Sequence, residues 1–384
     1  MDFSFTEEQN AIRDTAQRFS RDKLLPFYQE REKTATIDRK VVKEMADLGL
    51  IGVELPEEFG GLGQDCVTCG VIVEEMAKGD FNYAYIQIMA GLNGSILCKQ
   101  AQHEVAMEWI PKIISGESLI SIALTEPGHG SDAANIVVSA KKDGDSWVLN
   151  GEKTSISIAD QSDVAIIFAR TGGPGARGIS AFLVPMDLPG ITRNHFNCMG
   201  NKIIGRGSIF MDNVRIPENH LLGKENEGFV TVMQGFDYSR VLLGLQCLST
   251  AQQSVNETWE FIAQREAFGR PIAKFQGVSF PLAEAETMLE AARTLCYKTL
   301  WLRDQGLPHT KEAAMCKWWP PKIAHEIIHQ CLLTHGHGGY DDSYPHNQRM
   351  RDVLGIHIGD GTAQIQKMVI AREVAGRVTV SHAD

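Results

Sequence analysis

The sequence predicts an α+β protein of three successive units, helices, then a sheet, then helices, and three observations predict it. From Thr6 to about Gln102 apolar residues recur at three- and four-residue intervals, as in Ile12, Ala16 and Phe19, which is the repeat of an amphipathic helix. Between about Ile120 and Leu222 that period gives way to short apolar runs separated by Gly, Asp and Pro turns. From Gly228 to Gly376 long amphipathic stretches return. The units are therefore a helical domain over residues 1–119, a β domain over 120–227 and a second helical domain over 228–384.

Each element has a local reason. Thr6-Glu-Glu-Gln9 reads as a capped helix start, and Pro56-Glu-Glu-Phe-Gly-Gly-Leu-Gly63 as a loop between helices. Trp147-Val-Leu149, Val164-Ala-Ile-Ile-Phe168 and Ile209-Phe-Met211 are strand-like runs. Ser249 to Arg265 and Phe280 to Gln305 carry the helical period, with loops at Pro308 and at the glycines near residue 338. No internal repeat is evident.

With 384 residues, 43% of them hydrophobic, the chain can bury a large core. Its 37 Lys and Arg against 48 Asp and Glu, a formal charge of -11, argue against nucleic-acid binding. The cysteines at 66, 69, 98, 198, 247, 296, 316 and 331 lack the density of a disulfide scaffold, so reduced thiols in a cytoplasm are the simpler reading. Cys66-Val-Thr-Cys69 has a redox or half-zinc spacing, but no second pair follows, and it reads as packing on a helix. The acidic opening Met1 to Glu8 does not resemble a secretory leader, and no apolar stretch reaches bilayer-spanning length. A soluble cytoplasmic protein is expected.

Five separated motifs give the reading its direction: Leu124-Thr-Glu-Pro-Gly-His-Gly-Ser-Asp132, Asn150-Gly-Glu-Lys153, Gln264-Arg-Glu-Ala-Phe-Gly-Arg-Pro271, Met350-Arg-Asp352 and Asp360-Gly-Thr-Ala-Gln364. In this order they resemble the acyl-CoA dehydrogenase family, and the likeness covers nearly the whole chain. It implies that family's fold, with an N-terminal helical domain, a middle β-barrel-like domain and a C-terminal four-helix bundle. It further implies FAD between the last two, a homotetramer in which a neighbouring subunit helps hold the cofactor, and an electron-transferring flavoprotein as partner.

The chemistry such a family performs needs a base for the weakly acidic α-proton of a coenzyme A thioester and a hydride acceptor facing the β-carbon. Asp360 stands where the family's catalytic glutamate is usual; without the resemblance it would read as a turn aspartate before Gly361. The backbone N–H of Asp360 is where the family holds the thioester carbonyl, as an oxyanion hole would. Leu124, Thr125, Gly130 and Ser131 match flavin-loop positions, and Ser131 also meets the ligand. Arg265 matches an arginine that reaches the cofactor pyrophosphate across a subunit boundary, in company with Phe268 and Gln276, and Thr362 and Gln364 match further cofactor contacts. Asp237 and Arg240, with Gly361 and Ser131, match the substrate side, Arg240 supporting the catalytic loop; an intrahelical ion pair is the plain alternative for the first two.

The departures from the family pattern point to the substrate. Ser155 stands where most relatives carry a tryptophan against the flavin, and Ser157 where they carry a threonine. Asp360 is shorter than glutamate by one methylene, about 1.5 Å of reach. A bulky acyl group then fits closer to the base, which resembles the enzymes of anaerobic alicyclic metabolism that act on cyclohexane-1-carbonyl-CoA. Phe81 to Gln102 contains no Asp or Glu, so a second carboxylate base is absent there and α,β-desaturation is favoured. Leu333-Thr-His-Gly-His337 replaces the family's Gln-Ile-Phe-Gly-Gly, which places Gly336 and His337 at a cofactor corner of altered chemistry. A short branched-chain acyl-CoA dehydrogenase and a nitroalkane-oxidase-like flavoenzyme are the nearer alternatives, the latter disfavoured by Ser131, Asp237 and Arg240.

A zinc hydrolase is the alternative from another class. His325-Glu-Ile-Ile-His329 matches the HExxH pattern, with His335 at a third-ligand spacing. Leu332 replaces the glycine that would turn the chain, and on a continued helix His335 lies about 120° from His329 at ~100° per residue. The expected metal set is none.

Overall fold

The computed structural model describes residues 4–379; Met1 to Phe3 of the acidic opening and residues 380–384 lie outside them. Helix α1 (Glu7–Phe19) begins as its sequence dictates, because Thr6 Oγ1 accepts from Gln9 N at 3.1 Å while Gln9 Oε1 accepts from Thr6 N at 3.1 Å. The short α2 (Tyr28–Glu32) and α3 (Arg39–Asp47) lead to α4 (Cys66–Gly79), α5 (Phe81–Gln100) and α6 (His103–Ile114). Helix α5 is buried almost all round: most of its residues are apolar or small, and the buried amides Gln87 and Asn82 bond to Gly52 N, Glu54 and Asp352. Cys66 opens α4 and Cys69 packs inside it, and all eight cysteines are unpaired thiols.

Among the described residues eight strands form one sheet: β1 (Ile120–Ala123), β2 (Ser139–Asp143), β3 (Ser146–Ser157), β4 (Val164–Arg170), β5 (Ile179–Pro185), β6 (Ile191–Arg193), β7 (Arg206–Pro217) and β8 (Leu221–Leu222). Their order is β6-β7-β3-β2-β4-β5-β8, with β1 parallel to β4. The long antiparallel pair β3–β7 ends with Ser157 opposite Arg206, and its register slips between Lys153 and Ile156. Ser155 sits in that bulge at φ 57°, a left-handed backbone that points it out of the sheet.

The third unit is built from α7 (Gly228–Gln264), α8 (Gln276–Asp304), α9 (Thr310–Thr334), α10 (His337–Tyr340), α11 (His346–Ile356) and α12 (Ala363–Ala375). The helix expected over Ser249 to Arg265 is the second half of α7, which runs for 37 residues. Glycines in its first half obscure the period, and close packing overrides their weak propensity: a Cβ at Gly244 would lie 2.7 Å from the Cys316 carbonyl oxygen. Met350-Arg-Asp352 joins all three units. Arg351 pairs with Glu32 and donates to the Met199 carbonyl at 2.6 Å. Asp352 accepts from Tyr28 Oη at 2.6 Å, Asn82 Nδ2 at 3.1 Å and Asn201 N at 2.6 Å. Burial lifts its carboxyl to about 6. No helix among the described residues is long and apolar enough to cross a membrane.

Candidate active site

The loop after α11 inverts the chain through two left-handed residues, Asp360 at φ 54° and Gly361 at φ 91°, before Thr362 caps α12. Aspartate tolerates this backbone, and glycine suits position 361, whose φ of 91° is one that side chains rarely adopt. Three side chains clamp the inversion. Lys317 on α9, 1% exposed, donates to the Ile356 carbonyl at 2.5 Å and the Gly361 carbonyl at 3.2 Å. Gln366 donates to the Asp360 carbonyl at 3.2 Å, and Arg240 Nε reaches the same oxygen at 3.4 Å. Burial pushes the Lys317 ammonium down to about 8, against the pull of Asp360. The Asp360 carboxylate itself is half-buried and lies 3.4 Å from Ser239 Oγ.

Arg240 is held in turn by Asp237, with Nη1 to Oδ1 at 2.9 Å, and Asp237 Oδ2 accepts from Thr310 Oγ1 at 2.6 Å. The intrahelical pair that sequence reasoning set against a functional role is thus the buttress of the Asp360 turn. Asp237 also lines a cavity of about 420 Å³ whose wall carries Lys99, Arg303 and His309.

The opposite wall is the end of β3. Ser157 Oγ accepts from Tyr85 Oη of α5 at 3.2 Å and from Arg206 Nη1 at 3.4 Å. Burial, then the negative charge of Asp360, raises the Tyr85 phenol to about 12. One ion pair joins the first two sequence motifs: Lys153 Nζ lies 2.8 Å from Glu126 Oε1, with side chains 0% and 1% exposed. The same ammonium donates to the Leu124 carbonyl at 2.9 Å, Glu126 accepts from the Val137 and Val138 amides, and Thr154 N donates to the Thr125 carbonyl at 2.9 Å. The loop is pinned from below, while Gly130 and Ser131 on it are exposed.

The remaining candidates divide by position. Ser155 is exposed in its bulge, and Thr362 and Gln364 sit at the start of α12 near Asp360. Among the described residues no hydrogen bond joins Arg265, Phe268, Gln276, Gly336 or His337 to Asp360, whose partners are Ser239, Arg240 and Gln366. Arg240 lies within α7 and Arg265 is its C-cap, 25 residues on, and at ~1.5 Å per residue that separates them by about 38 Å. Phe268 is 94% exposed. His337 follows a turn at Gly336, φ 61°, whereas His335 is buried, stacked on Phe261 at 4.2 Å, with Nδ1 2.9 Å from the Cys331 carbonyl oxygen.

The HExxH side chains have other company. Glu326 takes Lys322 at 2.7 Å and His325 faces His357, and no cluster of three His, Cys, Asp or Glu able to hold a metal occurs among the described residues. Tyr85, Arg206, Ser239, Lys317 and Gln366 are the site residues that sequence reasoning missed. Register could have found one of them, since Arg206 pairs directly with Ser157.

A carboxylate on a clamped turn thus faces a polar sheet edge where elements of the three units meet. Residues 6–117, 121–214 and 226–375 match the acyl-CoA dehydrogenase N-terminal, middle and C-terminal domains. The chain belongs to the acyl-CoA dehydrogenase family, an oxidoreductase family. It is 36% identical to the 3-(aryl)acrylate reductase of Clostridium sporogenes over 96% of this chain and 98% of that one. To subunit CarC of the caffeyl-CoA reductase-Etf complex of Acetobacterium woodii it is 33% identical over 96% and 98%. The butyryl-CoA dehydrogenase structure from Megasphaera elsdenii superposes with a TM-score of 0.94 at 30% identity, covering 97% and 100% of the two chains. A structure of PigA with FAD and proline superposes at 0.93, with 25% identity over 98% and 100%.

Proposed function

We propose that this protein is an FAD-dependent dehydrogenase that desaturates an acyl-CoA thioester between its α- and β-carbons, with Asp360 as the base. The observation that carries this is the Asp360 turn: a carboxylate on a left-handed backbone whose carbonyl and neighbours are clamped by Lys317, Gln366 and Arg240. Such clamping fixes a base against a weak carbon acid, where a small misplacement costs rate. The proton goes from the α-carbon to an Asp360 oxygen, and the Asp360 N–H, which has no acceptor among the described residues, is free for the thioester carbonyl. The cavity beside Asp237, with Lys99, Arg303 and His309, suits the pantetheine and phosphates of coenzyme A.

The residues present fit FAD. Gly130, Ser131 and Ser155 are exposed and small beside Ser157, leaving room for a flat ring system. The Arg265 guanidinium is exposed and has no ion pair among the described residues, as a pyrophosphate ligand should be. When bound, FAD supplies the acceptor for the β-hydride. The distance of about 38 Å along α7 supports a homotetramer in which Arg265, Phe268 and Gln276 serve a neighbour's cofactor. The exposed Phe268, Tyr340, Ile358 and Val374 are the apolar surface such an assembly would cover. The naming of CarC as a subunit of a caffeyl-CoA reductase-Etf complex supports an electron-transferring flavoprotein as partner, and eight unpaired thiols suit a reducing cytoplasm.

For the acyl group we propose an alicyclic ring of the cyclohexane-1-carbonyl type, supported by the small Ser155 and Ser157 and the short Asp360. Asp360→Asn is the test. FAD content and ligand binding should persist while bleaching by substrate slows ~10² to 10⁴-fold, the usual worth of general-base assistance. Bleaching at the parent rate would remove Asp360 as base. A panel of cyclohexane-1-carbonyl-CoA, isobutyryl-CoA and butyryl-CoA separates the ring from branched and linear chains.

A further inference from the structure

The wall facing Asp360 carries a charge that desaturation of a neutral acyl chain does not use. Arg206 is half-buried, and its guanidinium runs from the end of β7 across to the turn that bears the base: a Cβ at Gly359 would lie 3.6 Å from Nη2 and 3.9 Å from Nη1. Its hydrogen bond goes to the neutral Ser157 Oγ at 3.4 Å, and it has no carboxylate within ion-pair distance among the described residues. The other charged groups of the chamber have partners. Arg240 is matched by Asp237, and Lys317 is spent on two carbonyls next to Asp360. Lys317 and Asp360 cancel, so Arg206 is one unit of positive charge in excess in a space partly closed to water. A desolvated cation without a counter-ion is costly unless a ligand supplies one.

The neighbours of Arg206 are arranged for an anion. Ser157 Oγ already accepts from Tyr85 Oη and Arg206 Nη1, so its own hydroxyl proton is turned outward as a donor. The guanidinium retains free N–H groups in a planar fork, the geometry that takes a carboxylate in two parallel bonds. From the acyl-CoA reading, on which this rests, the thioester end lies at Asp360, so a carboxylate meeting Arg206 would belong to the far end of the acyl group.

We propose that Arg206 is a specificity-determining residue that receives a carboxylate carried by the acyl group beyond its β-carbon, so that the preferred substrate is the monothioester of a dicarboxylic acid. Ring width and charge concern different parts of that acyl group, and a carboxylated ring satisfies both.

The test compares length-matched pairs on the FAD-loaded enzyme: succinyl-CoA with butyryl-CoA, glutaryl-CoA with valeryl-CoA, and adipyl-CoA with hexanoyl-CoA. In at least one pair kcat/KM should favour the carboxylated thioester by about tenfold or more, the scale of a desolvated charge pair. Arg206→Met should collapse that ratio towards one, and Arg206→Lys should retain part of it. Preference for the neutral member in every pair of the parent enzyme overturns the proposal without any variant being folded. An equal loss for both members in Arg206→Met also overturns it, since that would be the signature of general electrostatic support to the reaction. Bleaching by neutral thioesters without a charge preference removes this inference alone, whereas no bleaching by any thioester removes the acyl-CoA reading with it.

Discussion

Replacing Lys153 by methionine takes away the nearer of the two basic partners of Glu126 beneath the loop 124–131 and leaves only the His129 imidazole, Nδ1 3.8 Å away and charged only when protonated. The two side chains are 0% and 1% exposed and meet at 2.8 Å, and the ammonium also holds the Leu124 carbonyl at 2.9 Å. Methionine fills much of the volume, so the loss is chiefly electrostatic. Glu126 keeps its bonds from the Val137 and Val138 amides but becomes a buried carboxylate without its ammonium partner. Breaking a buried pair from one side costs ~3 to 5 kcal/mol. The double variant Lys153→Met with Glu126→Gln removes both charges and should recover part of that, with a coupling of ~1 to 3 kcal/mol between the two sites. Urea unfolding followed by circular dichroism measures the stability, and the flavin-to-protein absorbance ratio reports whether the loop still holds FAD. If Lys153→Met unfolds within about 0.5 kcal/mol of the parent and keeps a full FAD complement, a range ordinary for a surface change, the pair is not what anchors this loop.

Ser155→Trp should lower turnover of cyclohexane-1-carbonyl-CoA more than that of butyryl-CoA in protein with equal FAD content, because the indole refills space above the bulge; equal losses would count against the ring. Asp352 holds its proton up to about 6 when folded but only to ~3.9 unfolded, so its contribution is fully present below pH 4 and is lost as pH rises through 6. Thermal midpoints of the parent should therefore fall between pH 4 and 6 by more than those of Asp352→Asn, and parallel curves would show that Asp352 is ionised throughout. Arg265→Ala, at an exposed position, should change stability by less than about 0.5 kcal/mol yet lower FAD content. Mixed oligomers of Arg265→Ala with Asp360→Asn should regain activity, since one subunit brings the arginine and the other the base. A mixture as inactive as its components would argue against a shared cofactor.

The order of helix, sheet and helix, the cap at Thr6, the strands around Leu149, Phe168 and Phe210, and the place of Asp360 before Gly361 could all be read from the chain, because each rests on local periodicity or on a motif of neighbouring residues. The length of α7 could not, since Gly235 and Gly244 look like breaks until Leu92 and Cys316 are seen to need their missing side chains. The bulge that exposes Ser155 arises from a register slip between two strands, flanked by the pairs Lys153–Ile209 and Ile156–Gly207 that are far apart in sequence. Tertiary structure alone decided what surrounds the carboxylate. Lys317 and Gln366 are commonplace helix residues whose role appears only when their donors meet the Ile356, Asp360 and Gly361 carbonyls. Tyr85 and Arg206 come from different domains and meet at Ser157. Sequence periodicity determines which face of an element is buried, but which charges face one another across a site depends on how separate elements dock, and that is set by the packing of the whole core.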